Sequence, residues 1–406
     1  MLAEIPMVFI LIGLAAYTVL AGADFGSGIW TLFPGGGQSS RAATRDFARH
    51  AMGPVWEANH VWLIFVLVVC WTAYPVAYAS IVSTLTVPLF IAAVGIILRG
   101  ASYALREQLE ATREQRLVEN VFALSSVLTP FALGAVTGAV ASGRVPVGNA
   151  KGNLVTSWLN PTSVLVGILA VAVSSYLAAV YLAADARRLG QHGLERDFRS
   201  RALWSGVVTG ALALAGLLVV RLDARPFWNG LMSAGGLAMV GLSAVAGIVT
   251  LILVWRGRFG PARASAALAV VAIVAGWAVA QRPRFLPGLT VSQAAASPST
   301  LIAVIVAVVV GAVVLVPSLL LLFGLFLRGH LDEGPRTGVP MPEMRGAAGR
   351  HRPRLIAVFA LACLLVGAGL TVFTDAGVTL AVGIVCLCAC AVSAFVLATT
   401  ATETDA

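Results

Sequence analysis

An ionisable side chain inside a hydrocarbon span costs about 2.5–3.5 kcal/mol on insertion scales, so the few that stand within long apolar runs are the first places to look for chemistry. Asp24 stands in GADFGSGIW (residues 22–30), among Gly22, Gly26 and Gly28, which allow a neighbouring backbone to come close. Glu57 and His60 fall in GPVWEANHVW (residues 53–62), three apart and therefore on one face if that stretch is helical. Arg99 belongs to LRGASYALR (residues 98–106) and is expected to end the third span. Burial raises a carboxylate's pKa and a nearby arginine lowers it, so a balance between the two lets a group such as Glu57 exchange protons near neutrality. A histidine at the same level is suited to relay or hydrogen bonding. The alternative use of the same residues is mechanical. Charges at helix ends snorkel to water, or clamp one helix to the next without moving a proton.

These residues need helices to position them, and the chain is built to supply helices in lipid. Hydrophobic residues make up 59% of the 406, charged residues 11%, and the mean hydropathy is +0.92. A hydrocarbon core about 30 Å thick takes roughly 20 apolar residues of helix to cross. Runs of that length predict about eleven spans, near residues 5–32, 57–74, 79–99, 118–141, 158–183, 203–220, 231–254, 263–281, 299–327, 355–373 and 377–397. The fold class is therefore all-α and polytopic. Continuous runs such as Leu301 to Leu327 exclude the short alternating segments of a membrane β-barrel.

The net charge of +9 follows from topology rather than from nucleic-acid binding. With the N-terminus outside, 21 of the 27 lysines and arginines fall in inner loops or at inner helix ends and 6 on the outer side, as the positive-inside rule requires. The C-terminus is then cytoplasmic. Trp30, Trp204 and Trp255 mark inner helix ends and Trp71, Trp158, Trp228 and Trp277 outer ones. The first apolar stretch has neither a basic leader nor a small-residue cleavage site and reads as a retained helix. By this orientation Asp24, Glu57, His60 and Arg99 all sit at the cytoplasmic edge of three consecutive helices. They form either a clamp or the mouth of a proton path.

Three parts follow along the chain: an array over 1–328, a basic linker over 329–354 with glycine and proline, and a two-helix hairpin with its tail over 355–406. The tract CLCAC places Cys386 and Cys390 on one helical face and Cys388 on another, with no histidine near, so helix packing is expected rather than a metal site. A haem would need opposed axial ligands within the bundle. His50, His192, His330 and His351 fall outside the spans, which leaves His60 alone at depth. The string DFG at 24–26 lacks every other kinase element and carries no such meaning.

Taken together, these motifs resemble subunit II of the cytochrome bd-type quinol oxidases. The resemblance rests on GADFGSG, PVWEANHVW and LRGASYALR. It continues through SVLTPFALGAVTGAVASG (126–143), WLNPTSVLVG (158–167), GWAVAQRPRFLPGLTVSQAAASPSTL (276–301) and VPSLLLLFGLF (316–326), spread over residues 1–328 in the family's order. It implies two four-helix transmembrane bundles plus a peripheral helix, to which the C-terminal hairpin is an addition. It implies a partner, subunit I, that carries haems b and d and oxidises quinol, with small single-helix subunits in some complexes and a bound quinone in some members. From the residues themselves, no haem and no metal is expected in this chain. By position, Asp24, Trp56, Glu57 and Arg99 match the family's polar sites, with Asn59 in the same cluster. Glu57 stands where aspartate is common, and His60 departs from the more usual acid or amide. The function implied is support of subunit I and a cytoplasmic proton path for reduction of oxygen to water, in a bacterial inner membrane. Two other readings compete. A secondary transporter would carry charge near the midplane, where this chain is almost bare. An assembly scaffold would use Asp24, Glu57 and Arg99 only to hold helices together.

Overall fold

The computed structural model describes residues 2–33, 43–48, 56–106, 112–327 and 359–367, with single residues from 379 to 393. It divides into two compact units, 1–323 and 324–406. Among the described residues of the first unit, every regular element is helical except one short hairpin. A 3-10 turn at Leu2–Glu4 leads into α1 (Ile5–Leu32), whose Pro6 sits in the first turn, where a missing N–H costs nothing. Then come α2 (Trp56–Ala73), α3 (Pro75–Thr84), α4 (Thr86–Arg106), α5 (Thr112–Ala141), α6 (Pro161–Arg188), α7 (His192–Asp223) and α8 (Arg225–Leu231). They are followed by α9 (Ala234–Trp255), α10 (Phe259–Gln281), the antiparallel pair β1 (Arg284–Leu286) and β2 (Leu289–Thr290), α11 (Val291–Ala294) and α12 (Pro298–Leu327). The expected spans at 355–373 and 377–397 lie mostly outside the described residues.

Among the described residues seven helices are long and apolar enough to cross a membrane, or eight if α3 and α4 are taken as one bent span. The apolar part of α2, Asn59–Ala73, is shorter. The expected third span, 79–99, is corrected: the chain breaks at Leu85 and turns by 82° between α3 and α4. The cause is Pro88, which has no N–H to give to the Thr84 carbonyl, so the helical ladder cannot run through this point. The charged ends are corrected as well. Helices α5, α6 and α7 run beyond the apolar windows into Thr112–Glu114, Asp185–Arg188 and His192–Arg201, because a polar turn outside lipid remains helical.

Helix α6 lies at the centre of the packing. Leu177, Ala178, Ala179, Val180, Leu182 and Ala183 are all fully buried, so both faces of that stretch meet protein. It packs on α1, α5, α7 and α10, while α1 also meets α2, α5 and α10. Small residues set the α1–α6 distance. A Cβ on Gly26 would overlap the Ser174 carbonyl, so only glycine allows this approach. At the N-terminal end of the bundle, α3, the 142–160 loop and the hairpin form a cap. Ser80 and Ser83 accept the backbone N–H groups of Gly148 and Ala150 (2.9 and 2.8 Å), and Tyr74 donates to the Ala3 carbonyl at 2.6 Å while its ring meets Phe285 edge-on.

Candidate functional site

Asp24 of α1 and Arg99 of α4 face each other inside the bundle, both side chains fully enclosed. The Arg99 Nη2 donates to Asp24 Oδ1 and to the Asp24 carbonyl, each at 2.7 Å, and Nε reaches Oδ2 at 3.3 Å. The Nη1 donates to Ser126 Oγ of α5, which in turn donates to the Phe122 carbonyl at 2.6 Å. The guanidinium lies between two aromatic faces, 4.2 Å above Phe122 and 5.1 Å from Phe25. A planar fork with five donors suits this place, since carboxylate, carbonyl and hydroxyl take its N–H groups while its faces meet rings. Gly28 makes the room: a Cβ there would overlap Ser126 Oγ and press on Nη1.

This corrects the expectation that Arg99 closes its helix at the membrane edge. Helix α4 continues to Arg106 and α1 to Leu32, which puts the pair about two turns inside both ends. Snorkelling does not describe Arg99, because no part of its side chain reaches the surface.

His60 of α2 sits beside the pair, close enough to feel both charges, with its ring centroid 6.2 Å from those of Tyr17 and Phe25. Asn59 is buried and donates from Nδ2 to the Leu20 carbonyl at 3.4 Å. Its Oδ1, the Tyr17 hydroxyl and Thr129 Oγ1 of α5 are buried without a protein partner among the described residues. Glu57 and Trp56 lie in the first turn of α2, and their side chains are outside what the structure describes. The arrangement thus brings Asp24, Arg99, His60 and Asn59 together from three helices. It adds Tyr17 and Ser126, which the sequence reading did not single out, and Thr129 of α5 stands against Gly95 of α4, about one turn before Arg99. Hydroxyls are common in membrane helices, and their spacing alone gave no sign of which ones face the pair.

A second polar group was also missed. Asp223, at the end of α7, takes both Arg144 Nη atoms (2.8 and 2.6 Å), the Thr162 hydroxyl (2.6 Å) and the Thr162 N–H (3.2 Å). Its hydrogen bonds hold the Arg144 guanidinium above its ordinary pKa. The signal was present, because Asp223 is the only acidic residue between positions 198 and 331. It ties the α5–α6 loop, the start of α6 and the end of α7, and is a fastening rather than a reaction centre.

A family model described as cytochrome bd terminal oxidase subunit II matches residues 2–326. The chain belongs to that family. Cytochrome bd ubiquinol oxidase subunit 2 of Bacillus subtilis (strain 168) is 28% identical over 165 residues, 39% of this chain and 47% of the relative. Cytochrome bd-I ubiquinol oxidase subunit 2 of Escherichia coli (strain K12) is 27% identical over 215 residues, 51% and 54% respectively. The chain spans about half the length of these curated relatives. A chain of the bd oxidase from Geobacillus thermodenitrificans superposes with a TM-score of 0.67 at 25% identity, covering 80% of this chain and 98% of that one. Membership in the cytochrome bd subunit II family and the apolar helices make this a bacterial membrane protein, and the family implies haem in the complex. His60 is the one histidine placed inside the bundle among the described residues, and its ring packs on Tyr17 and Phe25. No group of three metal-capable side chains occurs among the described residues.

Proposed function

We propose that the chain serves as subunit II of a quinol-oxidising, oxygen-reducing complex, in which it supports a haem-bearing subunit I and admits protons from the cytoplasm. The observation that carries this reading is the enclosed Asp24–Arg99 pair with His60 and Tyr17 beside it, Asn59 next to His60 on α2, and Thr129 one turn from Ser126 on α5. A purely mechanical clamp needs the two charges and Ser126. It does not need three further buried polar atoms without protein partners among the described residues, which are the kind of groups that hold ordered water in an interior.

The residues divide the work. Asp24 is engaged by three guanidinium bonds and fixes the position of Arg99. The arginine sets a positive charge that favours an ionised carboxylate on neighbouring helices. Glu57, in the first turn of α2, is the group that exchanges protons with the cytoplasm, and His60, less than one turn further on, passes them inward. Trp56 shields that entry. Haems b and d, the quinol site and any bound quinone belong to the partner or to its contact with this chain. Small single-helix subunits complete the assembly. Residues 1–328 form the working core, 329–354 a basic cytoplasmic linker and 355–406 a separate hairpin and tail, with the N-terminus outside and the C-terminus inside.

The test is turnover of the purified complex. Glu57→Gln keeps shape and hydrogen bonding but cannot release a proton, so quinol oxidase activity falls at least about tenfold, roughly 1.4 kcal/mol of barrier, with haem content unchanged. Glu57→Asp remains largely active. A glutamine variant that assembles and turns over at the wild-type rate from about pH 6 to 8 makes Glu57 structural.

A further inference from the structure

Beside His60 the interior of the bundle offers two directions along α1. Tyr17 and Phe25 are eight residues apart, about 12 Å along the axis, and the His60 ring centroid lies 6.2 Å from both of theirs, so the imidazole sits about midway between them. On the Phe25 side stand Arg99 and Asp24, engaged with each other: a guanidinium accepts no proton, and both carboxylate oxygens already take its N–H groups. On the other side stands the neutral phenol of Tyr17. We propose that the Tyr17 hydroxyl and Asn59 Oδ1 hold a buried water there, and that Tyr17 is the positioning residue through which a proton leaves His60 for the interior. This rests on the reading of His60 as a relay.

The hydroxyl is the anomaly. Tyr17 is buried, its oxygen is cut off from the surface and has no hydrogen-bond partner among the described residues, and a buried tyrosine hydroxyl ordinarily finds one. Phenylalanine would fill the same space without the cost of taking a hydroxyl out of water. Asn59 supplies the complement. Its Nδ2 donates to the carbonyl of Leu20, less than one turn from Tyr17, which fixes the amide and leaves Oδ1 as a second buried atom without a protein partner among the described residues. A phenol can donate and an amide oxygen can only accept, and a water satisfies both. The rest of the wall is apolar, with Leu63 of α2, Ile96 of α4 and Leu133 of α5 packed against the cluster of Tyr17, Ala21 and Phe25. In such surroundings a water stays only where polar atoms hold it.

The transfer balances without an ionised phenol. The water takes a proton at its oxygen from the protonated His60 ring and releases one of its own to the Tyr17 hydroxyl oxygen, which gives up its original proton onward, toward the partner that reduces oxygen. Water and tyrosine each gain one proton and lose one. Asn59 Oδ1 accepts the second hydrogen of the water and keeps it oriented, and His60 returns to the neutral form that takes the next proton from Glu57.

Two measurements on the purified complex test this, one of them independent of activity. Electron cryo-microscopy at a resolution that shows ordered water places one within hydrogen-bond distance of the Tyr17 hydroxyl and Asn59 Oδ1, and Tyr17→Phe, which removes a single oxygen and keeps the ring, loses it. Turnover of Tyr17→Phe falls at least about threefold and its solvent deuterium effect rises above that of wild type, with haem content unchanged and thermal stability not lowered. A ring that only packs would move neither the water nor the isotope effect. Tyr176→Phe, which removes the hydroxyl of another buried tyrosine, in a separate core cluster on α6, leaves both at the wild-type values. The inference is overturned if no water lies against the Tyr17 hydroxyl, if Tyr176→Phe slows the complex as much, or if Tyr17→Phe keeps the wild-type rate and isotope effect while Glu57→Gln is slow. Wild-type turnover in Glu57→Gln and Tyr17→Phe alike overturns the proton-path reading itself, and this inference with it.

Discussion

At the scale of single residues, the enclosed pair sets the terms. Two charges taken out of water are stabilised only if nearly every donor and acceptor is matched, and Arg99 comes close to that with Asp24, its carbonyl and Ser126. Removing one partner leaves the other charge buried and uncompensated. Arg99→Gln or Asp24→Asn alone should destabilise the subunit by about 3–5 kcal/mol, whereas the double variant should recover part of that loss. Thermal unfolding of the purified complex measures it, and additive losses would mean that the two side chains are not coupled. The sequence singled out Asp24 and Arg99 because a charge among apolar residues is conspicuous. It did not show that they meet, since 75 positions separate them and the contact depends on how α1 and α4 pack against α5. Ser126, Tyr17 and Thr129 were not legible at all. A buried hydroxyl changes hydropathy little, and Ser and Thr also satisfy themselves on the preceding turn, as Ser102 and Thr137 do.

At the scale of helices, close approach at glycine holds the site together. Gly26 faces the Ser174 backbone, and Gly28 faces Ser126 and Arg99, so α1 presses against α6 through one and closes on the pair through the other. Gly26→Ala should force α1 and α6 apart and lower assembly yield sharply. Gly210→Ala, on α7 with nothing within 4 Å of the added methyl, should be neutral or stabilising by up to about 1 kcal/mol. Yield and thermal stability of the two variants side by side check this, and equal tolerance would remove the packing argument. Most helices were legible because a span must be apolar for about 20 residues, a rule with few exceptions. The break at Leu85 was hidden by that same rule. Apolar content is continuous across it, while the obstacle is one missing N–H at Pro88, which a hydropathy average does not register.

At the scale of the whole molecule, orientation decides whether the polar cluster can meet cytoplasmic protons. The turn between α9 and α10 carries Arg256 and Arg258, while the α5–α6 loop and the hairpin lie at the other end with the N-terminus. A reporter active only when exported should therefore be silent when inserted at Gly257 and active at Gly148. The reverse pattern would turn the proposed proton entry toward the outside. The claim that this chain delivers protons is tested most directly by time-resolved proton uptake, with the fully reduced complex mixed with oxygen in the presence of a pH dye. In wild type, uptake from the cytoplasmic side should keep pace with oxygen reduction. In Glu57→Gln it should slow at least about tenfold together with turnover, while reduction of the haems by quinol keeps its wild-type rate. Uptake at the wild-type rate in a fully assembled Glu57→Gln complex would contradict the account, and would leave the cluster around Asp24 and Arg99 as a means of holding helices together.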